Sequence, residues 1–437
     1  MIVSVGRMMR KGGGGLIWPK GLKESIKAIY DPKKQGLTNY DVIEAYTEDF
    51  KKWNNSPEKY TGSLTSNSLA LTNVSQKTAL IYSPIKPYDF KVLITGLQEG
   101  QHIKFGFDYG ETILEADKDG VYTLEWKEGL KSYGIYTNFV GECNITITQL
   151  PTSILKDFSG NGNHAYLYGG KGKLNSGMGL YKVDFTSWRK SSVQTEVKPD
   201  VVKVTPNTSD YLFIQYANSV EIPSYKIKVI GLGDNVLKYQ YATENGRKEI
   251  NIVEGENELP TSIKVSNDYQ IGYRLTPGTS VFTITQIPDY PDQLCYDGKM
   301  YAVCYGFPIL TDYTVMAERT WFDKTGVRCF CSKYKDNTAA ALFKFEWVAG
   351  NKEYTSSLGK DTNVVFVDSN ITWQTKTSYN GKALTNLQYE DGEHLIIGNR
   401  YEGDYSTYIG CHGKIIISDR SFTEDEITWL KDNLFRK

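Results

Sequence analysis

An internal duplication restricts this chain's fold more than any other feature. Asp49-Phe50-x-x-Trp53 recurs as Asp184-Phe185-x-x-Trp188, a shift of 135 residues. Phe90-Lys91-Val92-Leu93-Ile94-Thr95-Gly96-Leu97 returns at the same offset as Tyr225-Lys226-Ile227-Lys228-Val229-Ile230-Gly231-Leu232. Asn144-Ile145-Thr146-Ile147-Thr148-Gln149-Leu150-Pro151 reappears as Val281-Phe282-Thr283-Ile284-Thr285-Gln286-Ile287-Pro288, offset by 137. Three matched blocks in one order describe two copies of one module. A catalytic site has no general need of a second copy, so the repeat points to a binding or surface-building protein and to no enzyme.

The chain's 437 residues suffice for about three domains. With 50 basic and 51 acidic residues there is no global field to draw it to nucleic acid or an anionic membrane. It has no run of about 18 apolar residues, so no membrane insertion is expected. The opening Met1 to Arg7 lacks the continuous apolar core of an export signal. The 32 tyrosines suit half-buried β-surfaces with amphipathic rings at their rims.

Strands are read from period-two alternation. In the first copy Ile103, Phe105 and Phe107 alternate with Lys104, Gly106 and Asp108, and Ile145 and Ile147 with Thr146 and Thr148. Such alternation buries one face and wets the other, as in an antiparallel sandwich. The expected fold class is all-β: two related β-sandwich modules, a third β domain and an extended N-terminal arm. The boundaries read as an arm at 1–35, module 1 at 36–151, module 2 at 172–288 inserted into a loop of the third domain, and that third domain at 152–171 and 289–437. The segment from Tyr40 to Trp53 reads as extended or irregular, because its counterpart carries Gly177-Met178-Gly179, and glycine at that density opposes a helix.

The arm carries eight basic residues against Glu24 and Asp31, and Gly12 to Gly15 cannot hold a shape alone. Three readings stand: a disordered tail; an arm ordered by an acidic or polymeric partner, with Leu16, Ile17, Trp18 and Pro19 as its apolar anchor; and a nucleic-acid-binding arm, against which the lack of interleaved aromatics speaks. The six cysteines and four histidines show no zinc or redox spacing, so no metal and no cofactor is expected.

Asp157-x-Ser159-Gly160-Asn161-Gly162-Asn163-His164, the hairpin signal Tyr379-Asn380-Gly381-Lys382, and the closing run from Gly413 to Ile427 resemble the concanavalin A-like, laminin-G-type jelly-roll family. The architecture, with its basic Gly-rich start and Asp-Phe-x-x-Trp modules, also resembles virion proteins of tailed phages and prophages of gut Bacteroidetes, including the crAss-like group. The resemblance implies a virion protein (head fibre, tail hub or tail fibre), made in the host bacterial cytoplasm. Its implied partners are other virion proteins reached through the arm, further copies of itself in a homo-oligomer, and host-surface polysaccharide. The alternative is a stand-alone bacterial or prophage lectin-like protein.

Glycosidases of this fold class place paired carboxylates on one strand. Here Lys344-Phe345-Glu346-Trp347 offers one acid, and Tyr389-Glu390-Asp391-Gly392-Glu393 reads as a turn. For glycan binding, Trp321 offers an aromatic face, while Trp347 and Trp373 read as core. Tyr401, Tyr405 and Tyr408, in a polar Gly-containing stretch, are the candidate stacking platform. Asp361, Asp368 and Asp404 are the acids open to a calcium ion, but they lack calcium-loop spacing. At the C-terminus, Thr423 and Glu426 form a capping box for a helix whose apolar face is Ile427, Leu430 and Leu434.

Overall fold

In the computed structural model, the described residues are 16–37, 46–83, 89–107, 111–125, 132–169, 174–190, 194–206, 211–216, 218–333, 344–350, 352–355, 366, 371–384, 392–400 and 407–436. The chain is all-β: six antiparallel sheets pair off into three sandwiches, with a few short helical segments.

The duplication is exact in topology. Module 1 has one sheet in the order 54–55, 79–83, 133–137, 103–107, 111–116 and a second in the order 60–64, 68–74, 141–149, 90–95, 120–124. Module 2 repeats both orders with 189–190, 211–216, 270–276, 236–243, 246–252 and with 194–197, 201–205, 282–287, 225–230, 255–259. Alternation works as expected: Ile145 and Ile147 are buried, while Thr146 and Thr148 on the same strand are half-buried.

The repeated motif is a capped turn. Asp49 Oδ1 accepts from Lys51 N (3.1 Å) and Asp184 Oδ1 from Thr186 N (2.8 Å), each opening a single 3₁₀ turn. That turn drives Phe50 with Trp53, and Phe185 with Trp188, into the two cores. The irregular reading of this stretch is refined accordingly, and 38–45 lie outside the described residues. Gln286, almost fully buried, ties the approach to the turn by accepting from Val183 N (3.1 Å) and donating to Val183 O (2.8 Å). Gln149, with its amide turned to suit, does the same at Thr47 and Glu48.

The third sandwich is a framework into which both modules are inserted. Its larger sheet runs 177–180, 289–297, 409–418, 314–323, 371–375, 378–379, 382–383, and Ile26–Tyr30 pairs with Ile409–Ser418 along residues 415–418. Its smaller sheet runs 154–155, 165–168, 301–304, 395–397, 327–332, 344–349, 352–354. Two expected boundaries move as a result. Residues 18–36 are part of the framework and not a free arm, so module 1 is an insertion as well. Module 2 begins after Leu180, because Gly177–Leu180 pairs with the framework strand Asp289–Asp297.

The Asp157 to His164 motif explains the first shift. Asp157 Oδ1 accepts from Ile29 N (2.9 Å) and Ser159 N (2.8 Å), and its Oδ2 from Ser159 Oγ (2.7 Å) and Asn163 N (3.1 Å). Asn161 and Asn163 donate to Ile26 O (2.8 Å) and Lys27 O (2.7 Å). Gly160 and Gly162, at φ 95° and 76°, allow the loop to coil under that strand. The motif is a clamp that fastens the N-terminal strand, meeting most of its polar needs along one edge.

Ala28, Tyr30, Ile415 and Ile417 face the framework core, and Ile26 and Ile416 face outwards beneath the C-terminal helix Glu424–Leu430. That helix has its capping box, with Thr423 Oγ1 accepting from Glu426 N (3.3 Å) and Glu426 Oε2 accepting from Thr423 N (2.9 Å). Asn380 and Gly381 both take positive φ, 47° and 79°, as the two-residue hairpin requires.

Candidate functional site

The site begins with a strand-level choice. On Ala165–Tyr168 the small and branched Ala165 and Leu167 enter the core, so Tyr166 and Tyr168 must face outwards. On Tyr301–Cys304 the same alternation buries Ala302 and Cys304 and turns Tyr301, Val303 and, one step on, Tyr305 outwards. The smaller framework sheet therefore presents a tyrosine face. Tyr168 stacks on Tyr301 (centroids 5.2 Å, 11°), and the Tyr168 and Tyr305 hydroxyls are 2.8 Å apart. Tyr305 meets His394 edge to face at 4.9 Å. Burial pushes the Tyr166 phenol up to about 12.

Module 1 closes the centre of this face with Leu93 and Leu150. Two clefts open along the seam. One, about 310 Å³, is lined by residues including Phe90, Lys91, Pro151, Ile154 and Tyr166. The other, about 340 Å³, joins Leu93, Asp119 and Val121 of module 1 to Tyr305, Ile309, Glu393 and His394 of the framework. It is the candidate site, because it combines a half-exposed ring, fixed hydrogen-bonding groups and apolar walls. Asp119 is held by Gly96 N (2.9 Å) and Leu97 N (2.8 Å), and Gly96 sits at φ 88° against Asn144 O, where no side chain fits. His394 Nδ1 accepts from Gly306 N (3.2 Å), which leaves the proton of the neutral ring on Nε2 as a donor. Burial holds its pKa below the ordinary histidine value.

Glu346, the acid singled out in the sequence, has a different fate. It is fully buried between the two framework sheets, paired to Arg319 side-on through Nε to Oε2 and Nη2 to Oε1, the latter at 2.8 Å. Trp321 Nε1 (3.0 Å), Thr372 Oγ1 (2.8 Å) and Tyr379 OH (2.8 Å) also donate to it. Burial disfavours the Arg319 charge, but the adjacent carboxylate outweighs it and the guanidinium pKa rises. With donors on both carboxylate oxygens, the cluster is an inter-sheet staple. A further cleft of about 380 Å³ near Tyr290 and Phe435 has Lys33 paired to Asp292 (2.5 Å) and Lys414 to Asp31 (3.1 Å), while Glu318, whose pKa burial raises, accepts from Gln293 Nε2 (3.3 Å).

The residues expected to bind ligand are not the ones gathered here. Tyr408 is fully buried; its hydroxyl lies 2.5 Å and 3.0 Å from the Thr320 and Cys411 carbonyls, and its ring is 4.7 Å from Trp321, so it is no stacking platform. Tyr401 and Tyr405 lie outside the described residues, as do Asp361, Asp368 and Asp404. Among the described residues no group of three or more His, Cys, Asp or Glu is placed to hold a metal. Trp321 is core, whereas Trp347 and Trp373 are half-buried, the first stacked on Tyr354 (4.5 Å), the second beneath Lys431 (3.7 Å). Of the expected anchor, Trp18 packs on Trp429 of its own chain (5.0 Å) with Pro19 half-buried, while Leu16 and Ile17 are exposed. The tyrosine face was in the sequence as Tyr166-x-Tyr168 and Tyr301-x-x-x-Tyr305, outward-facing repeats that neither the duplication nor a turn motif flags.

No family model matches the chain, and no curated protein sequence matches it. Solved structures do. The chain is similar to the M60 catalytic domain with the CBM51-1 and CBM51-2 domains of Clostridium perfringens ZmpB, at 10% identity, covering 59% of this chain and 38% of that one, TM-score 0.17. It thus spans well under half of that protein's length. It is similar to Trypanosoma rangeli sialidase with 2,3-difluorosialic acid, at 10% identity, covering 93% and 91%, TM-score 0.24. A chain from the structure of bacteriophage PM2 is matched at 11% identity, covering 82% and 98%, TM-score 0.13. Catalytic proteins stand among the matches, and on that finding the expectation that the chain is not an enzyme is withdrawn. At such TM-scores nothing about a reaction or a ligand is carried over.

Proposed function

We propose that the chain is a glycan-adhesive surface protein set in a phage virion, with the seam cleft between module 1 and the framework as its binding site. The observation that carries the adhesive half is the convergence on one cleft of the Tyr305 ring, the Asp119 and Glu393 carboxylates and the His394 imidazole. Sugars are bound by a ring under their apolar face and by hydrogen-bonding groups at their hydroxyls. The virion half is supported by the phage resemblance and by the tandem modules, with attachment through residues 1–17 in place of the longer arm, since 18–36 are engaged by the chain itself.

Titration of the soluble chain with oligosaccharides tests the adhesive half. Saturable binding is expected, and Tyr305→Ala should weaken it about tenfold, the equivalent of roughly 1.4 kcal/mol for one lost ring contact. Mass spectrometry of purified particles tests the virion half; particles without the chain would remove it.

A further inference from the structure

We infer that the seam cleft selects uncharged saccharides and turns away sialylated or uronate-bearing ones. This rests on the glycan-adhesive reading above and narrows it to a ligand class.

The argument is one of charge at a fixed place. The cleft's described lining contains two carboxylates, Asp119 and Glu393, and no lysine or arginine. Its one further ionisable ring with a basic nitrogen, His394, is kept neutral near pH 7 by burial. Lys333, whose charge acts on His394, donates to Pro308 O (2.6 Å) and lies against the Phe307 ring (5.3 Å). It is fully buried behind the wall and not among the lining residues.

Asp119 cannot swing away from an incoming anion, because backbone N–H groups hold both of its oxygens. The oxygens still have lone pairs to accept from sugar hydroxyls, which suits an uncharged ligand. A ligand carboxylate would instead meet a like charge, with no lysine or arginine among the described lining residues to offset it. In a partly desolvated cleft each such contact costs roughly tenfold in affinity. A plain packing gap between domains needs neither carboxylates nor an isoleucine left 76% exposed at its mouth, as Ile309 is.

Module 2 shows how much of this is structural. Glu254 accepts from Gly231 N (2.9 Å) and Leu232 N (2.7 Å), repeating the role of Asp119. Asp119 is therefore retained for the turn, and the selectivity depends on Glu393 and the ring joining it, which only the seam provides.

The test is calorimetric titration of the full chain at pH 7 and about 0.15 M salt with matched pairs of oligosaccharides. Each pair shares a backbone, one member neutral and the other carrying sialic acid or uronate. The expected result is saturable binding of neutral members, at least tenfold weaker binding of acidic partners, and a gap that narrows several-fold in Glu393→Gln. Acidic members bound as tightly as neutral ones would overturn the inference and leave the adhesive reading standing. No saccharide bound at all would remove the adhesive reading and the inference with it. Neutral members bound as tightly by Tyr305→Ala as by the unaltered chain would place the binding site elsewhere and overturn the inference too.

Discussion

The two modules share every strand and every sheet order, yet they present opposite outer faces. In module 1 the strand Phe90–Thr95 has Lys91, Leu93 and Thr95 half-buried, and Leu93 pairs with Val121. In module 2 the matching Lys226, Lys228 and Ile230 are exposed, and Lys228 pairs with Glu256. The first module docks its face on the framework tyrosines; the second leaves its face to water. One corner shows the reverse bias: Ile230, Val253 and Val281 are 55%, 58% and 49% exposed, where module 1 has Thr95, Lys118 and Asn144. A duplicated fold thus keeps what builds each sandwich, the capped Phe-x-x-Trp turn and the buried glutamine, and diverges at positions that pleating sends outwards.

The harshest test of their equivalence is in the cores. Phe50→Ala and Phe185→Ala should each cost about 3–5 kcal/mol, read by denaturant unfolding, since both rings are fully buried. A cost under about 1 kcal/mol for either would break the claim that one turn builds both modules.

Acid should separate the framework from the modules. Burial holds the pKa of His412 down at about 4 against an ordinary 6.5, with Nε2 accepting from the Tyr296 hydroxyl (2.9 Å) and Nδ1 donating to Gly413 O (2.7 Å). The unfolded chain takes up a proton there that the folded chain refuses. Stability is therefore full above about pH 6.5 and declines as pH falls towards 4, by on the order of 3 kcal/mol. Hydrogen exchange resolved by segment should show the framework opening first and module 2, which has no histidine, following later. His412→Gln should flatten that pH dependence.

The outer faces can then be exchanged. Leu93→Lys gives module 1 the residue of module 2 and should cost about 2 kcal/mol and raise exchange around Tyr301 and Tyr305. Lys228→Leu, the mirror change, should lie within about 0.5 kcal/mol of neutral. Equal effects would mean that module 1 does not depend on its seat. The smallest effect is expected outside both modules: Thr423→Ala should cost about 1 kcal/mol by loss of the helix cap and leave the unfolding of the modules unchanged.

Much of this was legible in the chain. Repeated blocks fixed two copies of one sandwich, alternation fixed which residues of the strand at 145–148 face the core, Asn380-Gly381 fixed a hairpin, and Thr423 with Glu426 fixed a helix start. These are local signals, set by backbone geometry within a few residues of the side chains that carry them. The N-terminal strand was misread because its partner, Ile415–Ser418, lies almost 400 residues further on, and a basic, glycine-led segment has no local mark that says it will pair. Tyr408 was misplaced because a tyrosine in a polar stretch is read by its neighbours in sequence, whereas Trp321 and the distant Thr320 carbonyl bury it.

By itself, then, the sequence determined the repeat, the strand periodicity and the caps, since these depend on short-range sterics and hydrogen bonding. Only the tertiary structure decided that a single framework threads through both insertions, that Glu346 is a staple, and that the tyrosine face meets module 1 to leave a cleft. Those outcomes rest on contacts between residues far apart along the chain, which form only where the packing of whole sheets brings the partners together.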